Sequence, residues 1–88
     1  MKLLWTDRGW AQYRYWQTND PATLARINAL IDDALRSPFR GLGKPEPLRG
    51  DLTGWWSRRI TDEHRLVYRC TGKADDQRIE IAQCRYHY

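Results

Sequence analysis

Eighty-eight residues carrying 15 Lys or Arg against 11 Asp or Glu give a formal charge of +4. A chain of that length is expected to form a single domain, 1–88, with one core and a surface site; it is too short for a deep inter-domain cleft, which excludes the large cofactor-binding architectures. No run of about 18 apolar residues occurs, and Lys2, Asp7, Arg8 and Arg14 interrupt the start, so neither a membrane span nor a signal peptide fits and the cytoplasm is the expected location.

Lys2-Leu3-Leu4-Trp5 reads as a short strand, and Thr6 can cap a helix running to about Thr18. Trp10, Tyr13, Trp16 and Gln17 fall at helical spacing, more simply a packing stripe than a base-stacking surface; Gly9 weakens the first turn. Asp20-Pro21 is a strong second start, because the carboxylate accepts an orphan N–H and proline needs none at the first helical position. Leu24, Ile27, Ile31 and Leu35, with Leu30 and Ala34 beside them, form one apolar stripe on a helix ending near Ser37-Pro38.

From Pro38 to Leu52, glycine and proline alternate too often for a helix or a long central strand, which leaves a loop and a short edge strand. Gly43-Lys44 superficially resembles a nucleotide loop. Pro45 replaces the required Ser or Thr, however, and Pro38 stands where the first glycine should be. Three strands follow, Trp55–Ile60, His64–Cys70 and Arg78 to about Tyr86, expected to pair as an antiparallel meander. A turn centred near Ala74 sets Cys70 opposite Arg78 and Cys84 opposite His64, too far apart for a disulfide. Neither cysteine has Cys or His neighbours at metal-ligand spacing, so both read as small core residues, with no metal or cofactor expected. The sum is an α+β fold, two N-terminal helices packed on a mainly antiparallel sheet of four or five strands.

The excess charge lies in one segment: residues 36–59 hold six basic and two acidic side chains, whereas the flanking segments are each neutral. Twelve of the 15 basic residues are Arg, whose fork suits phosphate. A polyanion-contacting surface and an ordinary solvated face both fit this distribution. Within the segment Glu46 is pinned between Pro45 and Pro47, among Arg40, Lys44, Arg49 and Arg58.

Alternation along the last strand puts Arg85 and His87 on one face and Tyr86 and Tyr88 on the other. It likewise groups Arg65, Val67 and Arg69 against Leu66, Tyr68 and Cys70, and sends Trp55 and Trp56 to opposite faces, so that one can enter the core while the other stays partly exposed. A glutamate, an arginine cluster and a histidine are what RNA cleavage without a metal requires: a base for the 2′-hydroxyl, cations for the phosphorane and an acid for the 5′-oxygen. Spacing alone does not bring these groups together, and a solvated loop carboxylate remains the alternative for Glu46.

Four motifs in order, Gly43-Lys44-Pro45-Glu46-Pro47-Leu48, Trp56-Ser57-Arg58-Arg59-Ile60, Glu63-His64-Arg65-Leu66-Val67-Tyr68 and Cys84-Arg85-Tyr86-His87-Tyr88, together with the opening Met1-Lys2-Leu3, resemble the YoeB toxins of the RelE/ParE superfamily along the whole chain. The resemblance implies a compact fold like that of the small microbial RNases. It also implies an mRNA endoribonuclease acting in the A site of the 70S ribosome and restrained by a cognate YefM-like antitoxin, with a homodimer permitted.

Residue by residue, Glu46 matches the family's catalytic glutamate, Arg65 its phosphate-contacting arginine, His87 its general acid and Tyr88 its terminal tyrosine. Arg49 stands where related sequences commonly carry lysine, and Arg59 fits a similar supporting part. Arg58 either contacts phosphate or faces solvent, and Lys44 and Arg85 complete the candidate RNA-binding set. His64 reads as a strand or turn residue. The implied reaction starts with Glu46 deprotonating the 2′-OH and ends with His87 protonating the 5′-oxygen, leaving a 2′,3′-cyclic phosphate and a 5′-hydroxyl. Two rivals are a non-enzymatic ribosome- or nucleic-acid-binding inhibitor of translation and a gyrase-directed toxin of the same superfamily.

Overall fold

The computed structural model describes residues 1–88. In chain order the elements are β1 (Lys2–Trp5), α1 (Asp7–Asn19), α2 (Pro21–Arg36), β2 (Glu46–Pro47), β3 (Trp56–Arg59), β4 (Arg65–Thr71) and β5 (Arg78–Gln83), with short 3-10 turns at Gly50–Leu52 and Ala74–Asp76. The five strands form one sheet in the order β1-β5-β4-β3-β2. Only β1 and β5 run parallel, so the sheet is mainly antiparallel, as expected.

Local chemistry explains the helix starts. Thr6 Oγ1 accepts from the Gly9 N–H at 3.0 Å and donates to the Ala82 carbonyl at 3.1 Å, capping α1 and tying it to β5 at once. Gly9 is needed there: a Cβ at this position would lie 2.6 Å from the Ile81 carbonyl oxygen, so the glycine lets α1 approach the strand backbone. Asp20 caps α2 through the Thr23 N–H, 3.2 Å, and hydroxyl, 2.7 Å.

Ile27, Leu30, Ile31 and Ala34 of α2 pack with Trp16 of α1 against Ile60, Leu66, Tyr68, Ile79, Ile81 and Cys84. Both helices therefore cover a single face of the sheet. The aromatic stripe of α1 is packing only in part: Trp16 is buried, Tyr13 is half-buried, and Trp10 is 45% exposed, stacked against Tyr13 and edge-on to Trp5. Gln17 faces outward. No helix is long and apolar enough to cross a membrane.

Three expectations about the sheet change. Cys70 pairs with Ile79 rather than Arg78. Tyr68 pairs with Ile81 but Val67 with Gln83, so Ala82 is an extra residue that bulges β5. Finally, β5 ends at Gln83, not near Tyr86: the N–H groups of Cys84 and Arg85 donate to Gln12 Oε1, and the chain bends over residues 84–86, with Tyr86 at φ 68°. The predicted alternation of residues 85–88 is lost with it.

Both cysteines are free thiols, Cys84 buried and Cys70 half-buried. Burial pushes the Cys84 thiol up to about 12 and raises Cys70 as well. Titration of the native protein at pH 8 with Ellman's reagent is expected to detect Cys70 slowly and Cys84 not at all, and both after denaturation; a fast-reacting Cys84 would contradict this packing.

Candidate active site

The site is built by the two-residue period of the strands. Glu46 of β2 pairs with Ser57 of β3, Ser57 with Val67 of β4, and Val67 with Gln83 of β5, so these four side chains form a row on the sheet face opposite the helices. Arg59 and Arg65, paired two residues along, belong to the same face. Arg69 lies beyond them, ion-paired with Glu80 at 2.7 Å and stacked 4.6 Å over Trp55. Trp56 points the other way, packing on the edge of the core beside Phe39. Both tryptophans are half-buried, and Trp56 is the one that packs against the core.

Arg65 is 9% exposed and has no carboxylate within ion-pair distance. Its Nη1 instead donates to the carbonyls of Thr61 at 2.7 Å, His64 at 3.1 Å and Asp62 at 3.2 Å. Neutral acceptors orient the guanidinium without cancelling its charge, which is what a pre-formed anion contact needs. Arg59 is exposed, and its N–H donates to the Gly43 carbonyl at 2.7 Å, joining β3 to the segment that delivers Lys44 and Glu46. Lys44, Glu46 and Arg49 are all exposed, around the start of β2. Gly43 does not open a helix as a nucleotide loop would; a Cβ there would lie 2.7 Å from Leu30 Cδ2.

The chain after β5 is held by side chains distant in sequence. Trp16 Nε1 donates to the Cys84 carbonyl at 2.9 Å, and Gln12 Oε1 accepts from the N–H groups of Cys84 and Arg85 at 2.7 and 3.1 Å. His64 Nδ1 accepts from the Tyr86 N–H at 2.7 Å, with its ring edge-on to Trp16. The Arg65 N–H donates to the Tyr86 carbonyl at 3.0 Å. These bonds return the tail toward the open face: Tyr88 Oη lies 3.4 Å from Ser57 Oγ, and the His87 ring stands 4.8 Å from that of Tyr88. Ser57 thus touches Tyr88 while sitting opposite Glu46 in the ladder. His64 serves as a turn residue that pins the tail, whereas Ser57 and Gln12 had no sequence signal beyond the strand parity that groups Ser57 with Arg59.

Two members of the predicted RNA-binding set lie elsewhere. Arg58 is 0% exposed and does not face solvent. It projects to the helix side, where Nη1 pairs with Asp33 at 2.6 Å and bonds the Leu42 carbonyl, Nη2 bonds the carbonyls of Ser37 and Arg40, and Nε donates to Tyr68 Oη at 2.9 Å. Burial raises the Tyr68 pKa, keeping a proton that the hydroxyl donates to the Pro38 carbonyl at 2.6 Å. Arg85 lies over Tyr15 of α1, 3.5 Å from the ring centroid, and beside Tyr86 at 4.6 Å. The chain is already bent from Cys84 onward, and this stacking takes Arg85 off the open face.

The Leu42 N–H and then the Arg58 guanidinium hold the Asp33 carboxyl below the usual carboxylate range. A depressed folded-state pKa contributes stability above the unfolded value of about 3.9 and loses it as pH falls through the folded value. Urea denaturation is therefore expected to show Asp33→Asn destabilising at pH 7, with the gap to wild type closing below about pH 4. A gap independent of pH would show that the carboxylate charge is not the stabilising element.

Two helices on one face of a five-stranded sheet, with an arginine-lined opposite face and a tail folded onto it, are an architecture shared with bacterial toxins of the YoeB/ParE class. The structure of a YoeB/ParE toxin from Agrobacterium tumefaciens superimposes with a TM-score of 0.96 at 57% identity, covering 100% of both chains. More narrowly, the chain belongs to the YoeB-like toxins of bacterial type II toxin-antitoxin systems, whose family model matches residues 5–88. It is 54% identical over 88 residues to Toxin YoeB of Escherichia coli K12, covering 100% of each. A YoeB dimer and a YoeB–YefM complex from Staphylococcus aureus share the fold at 42% and 40% identity, with TM-scores of 0.85 and 0.86, covering 100% of this chain and 98% of theirs.

Proposed function

We propose that residues 1–88 act as one endoribonuclease domain that cleaves mRNA in the A site of the ribosome. The observation that carries this reading is the convergence on one sheet face of an exposed carboxylate, Glu46, a carbonyl-anchored and otherwise unneutralised arginine, Arg65, and a tail bearing His87 and Tyr88. Glu46 removes the 2′-OH proton, and the 2′-oxygen attacks the adjacent phosphorus in line. Arg65, with Arg59 and Arg49, stabilises the pentavalent oxygens, and Lys44 adds positive charge at the rim. His87 protonates the departing 5′-oxygen, while Tyr88, braced by Ser57, orients the phosphate or stacks on a base. The products are a 2′,3′-cyclic phosphate and a 5′-hydroxyl, and each step is carried by side chains of this chain.

Since a YoeB from S. aureus is bound by YefM, a YefM-like antitoxin is the proposed partner. Acidic groups on it would answer the arginines of the open face. Self-association like that of the S. aureus dimer, and action in the cytoplasm where ribosomes carry mRNA, belong to the same reading.

The test is incubation of the purified protein with a defined mRNA, with and without programmed ribosomes, followed by mapping of both RNA ends. Cyclic-phosphate and 5′-hydroxyl ends that require ribosomes are expected. Equal cleavage of free RNA would make it a general RNase, and intact RNA with arrested translation would make it a non-enzymatic inhibitor.

A further inference from the structure

We infer that the recess beside His87 is a subsite for the nucleotide on the leaving side of the scissile bond, with Arg8 contacting the phosphate that follows that nucleotide. The inference rests on the endoribonuclease reading and assigns its substrate path. The recess has a volume of about 330 Å³ and is lined by Arg8, Gln12, Gln83, Tyr86 and His87. That is at the small end of ligand clefts, roughly 300 to 1,000 Å³, and suits one nucleotide rather than a helical stem.

Its position follows from the ladder. Gln83 is the last member of the row Glu46, Ser57, Val67, Gln83, so the recess continues the row on the side away from Glu46. His87 delivers its proton to the departing 5′-oxygen, which places the nucleoside bearing that oxygen beside His87. That nucleoside's 3′-oxygen carries the next phosphate.

The recess keeps several polar groups free for such a ligand. Gln12 faces two backbone N–H groups, which fixes its Oε1 toward them and leaves both Nε2 hydrogens as donors. Gln83 uses Nε2 on the Tyr86 carbonyl at 3.3 Å and retains Oε1 as an acceptor. Arg8, one helical turn before Gln12 on the same face of α1, is exposed and makes no ion pair. A cation in the first turn also opposes the helix dipole, so helix stability does not account for it. One guanidinium with amide donors and an acceptor around it matches a phosphate next to a sugar and a base edge.

The experiment uses programmed ribosomes carrying mRNAs that end at the leaving nucleotide, with either a 3′-hydroxyl or a 3′-phosphate, cleaved by wild type and Arg8→Ala. Wild type is expected to favour the 3′-phosphate RNA. Arg8→Ala is expected to lower kcat/KM by about tenfold on the 3′-phosphate RNA and less than about twofold on the 3′-hydroxyl RNA. Arg8→Lys is expected to restore part of the loss, with melting temperatures unchanged. An equal loss on both RNAs would reduce Arg8 to long-range steering, and no loss would remove it from the substrate path; either outcome overturns the subsite alone. Wild-type protein that cleaves neither RNA would overturn the nuclease reading and the subsite with it.

Discussion

Glu46→Gln is expected to lower the rate of mRNA cleavage by about 10²- to 10⁴-fold while leaving the melting temperature and ribosome binding unchanged. The range is what a positioned general base contributes, and the amide keeps the size of the side chain while removing the lone basic function. Stability is expected to hold because Glu46 is exposed and makes no side-chain hydrogen bond or ion pair. Its placement comes from the backbone: Pro45 and Pro47 restrict the local chain, and the pairing with Ser57 aims the side chain at the open face. Single-turnover cleavage on programmed ribosomes, beside a ribosome co-sedimentation assay, separates the two quantities. If the variant still arrested translation as wild type does, inhibition would come from occupancy, and the proposed chemistry would be wrong.

Arg58→Ala is expected to destabilise the fold by about 3–5 kcal/mol, a loss large enough to leave little folded protein at 37 °C. The substitution removes the partner of Asp33, strands the carbonyls of Ser37, Arg40 and Leu42, and takes a donor from Tyr68. These carbonyls belong to a segment with no regular structure of its own, so one guanidinium organises the chain that leads to Lys44 and Glu46. Arg59→Ala, one residue away, is expected to change stability by less than about 0.5 kcal/mol and to weaken cleavage instead, because its side chain is exposed. Urea denaturation and cleavage rates on the two variants decide the matter. A stable, inactive Arg58→Ala would return Arg58 to the phosphate-contacting set.

The contrast between Arg58 and Arg59 shows how far the sequence can be read. Alternation says that adjacent strand residues face opposite ways, but it does not say which face the helices cover. That is decided by the fit of Leu66, Tyr68, Ile79 and Ile81 against α2, and it sends Arg58 inward and Arg59 outward. Arg85 is the same lesson at a chain end. Its expected face assumed a strand running to Tyr86, but the strand ends at Gln83 and the bent chain after it carries Arg85 over Tyr15.

The amino-acid sequence by itself determined the helices, the strands and the identity of Glu46, Arg65, His87 and Tyr88 as candidates. Caps act over about three residues and apolar stripes over a few turns, so both are local and visible in the chain. Tertiary structure alone decided the bulge at Ala82, the end of β5, the anchoring of Arg65 and the path of the tail. Those depend on hydrogen bonds such as Thr6 to Ala82, Trp16 to Cys84 and Gln12 to Cys84, which join residues 76, 68 and 72 positions apart. Such pairings leave no periodic trace, because their partners meet only when β1 and β5 are laid side by side and α1 is brought down across them.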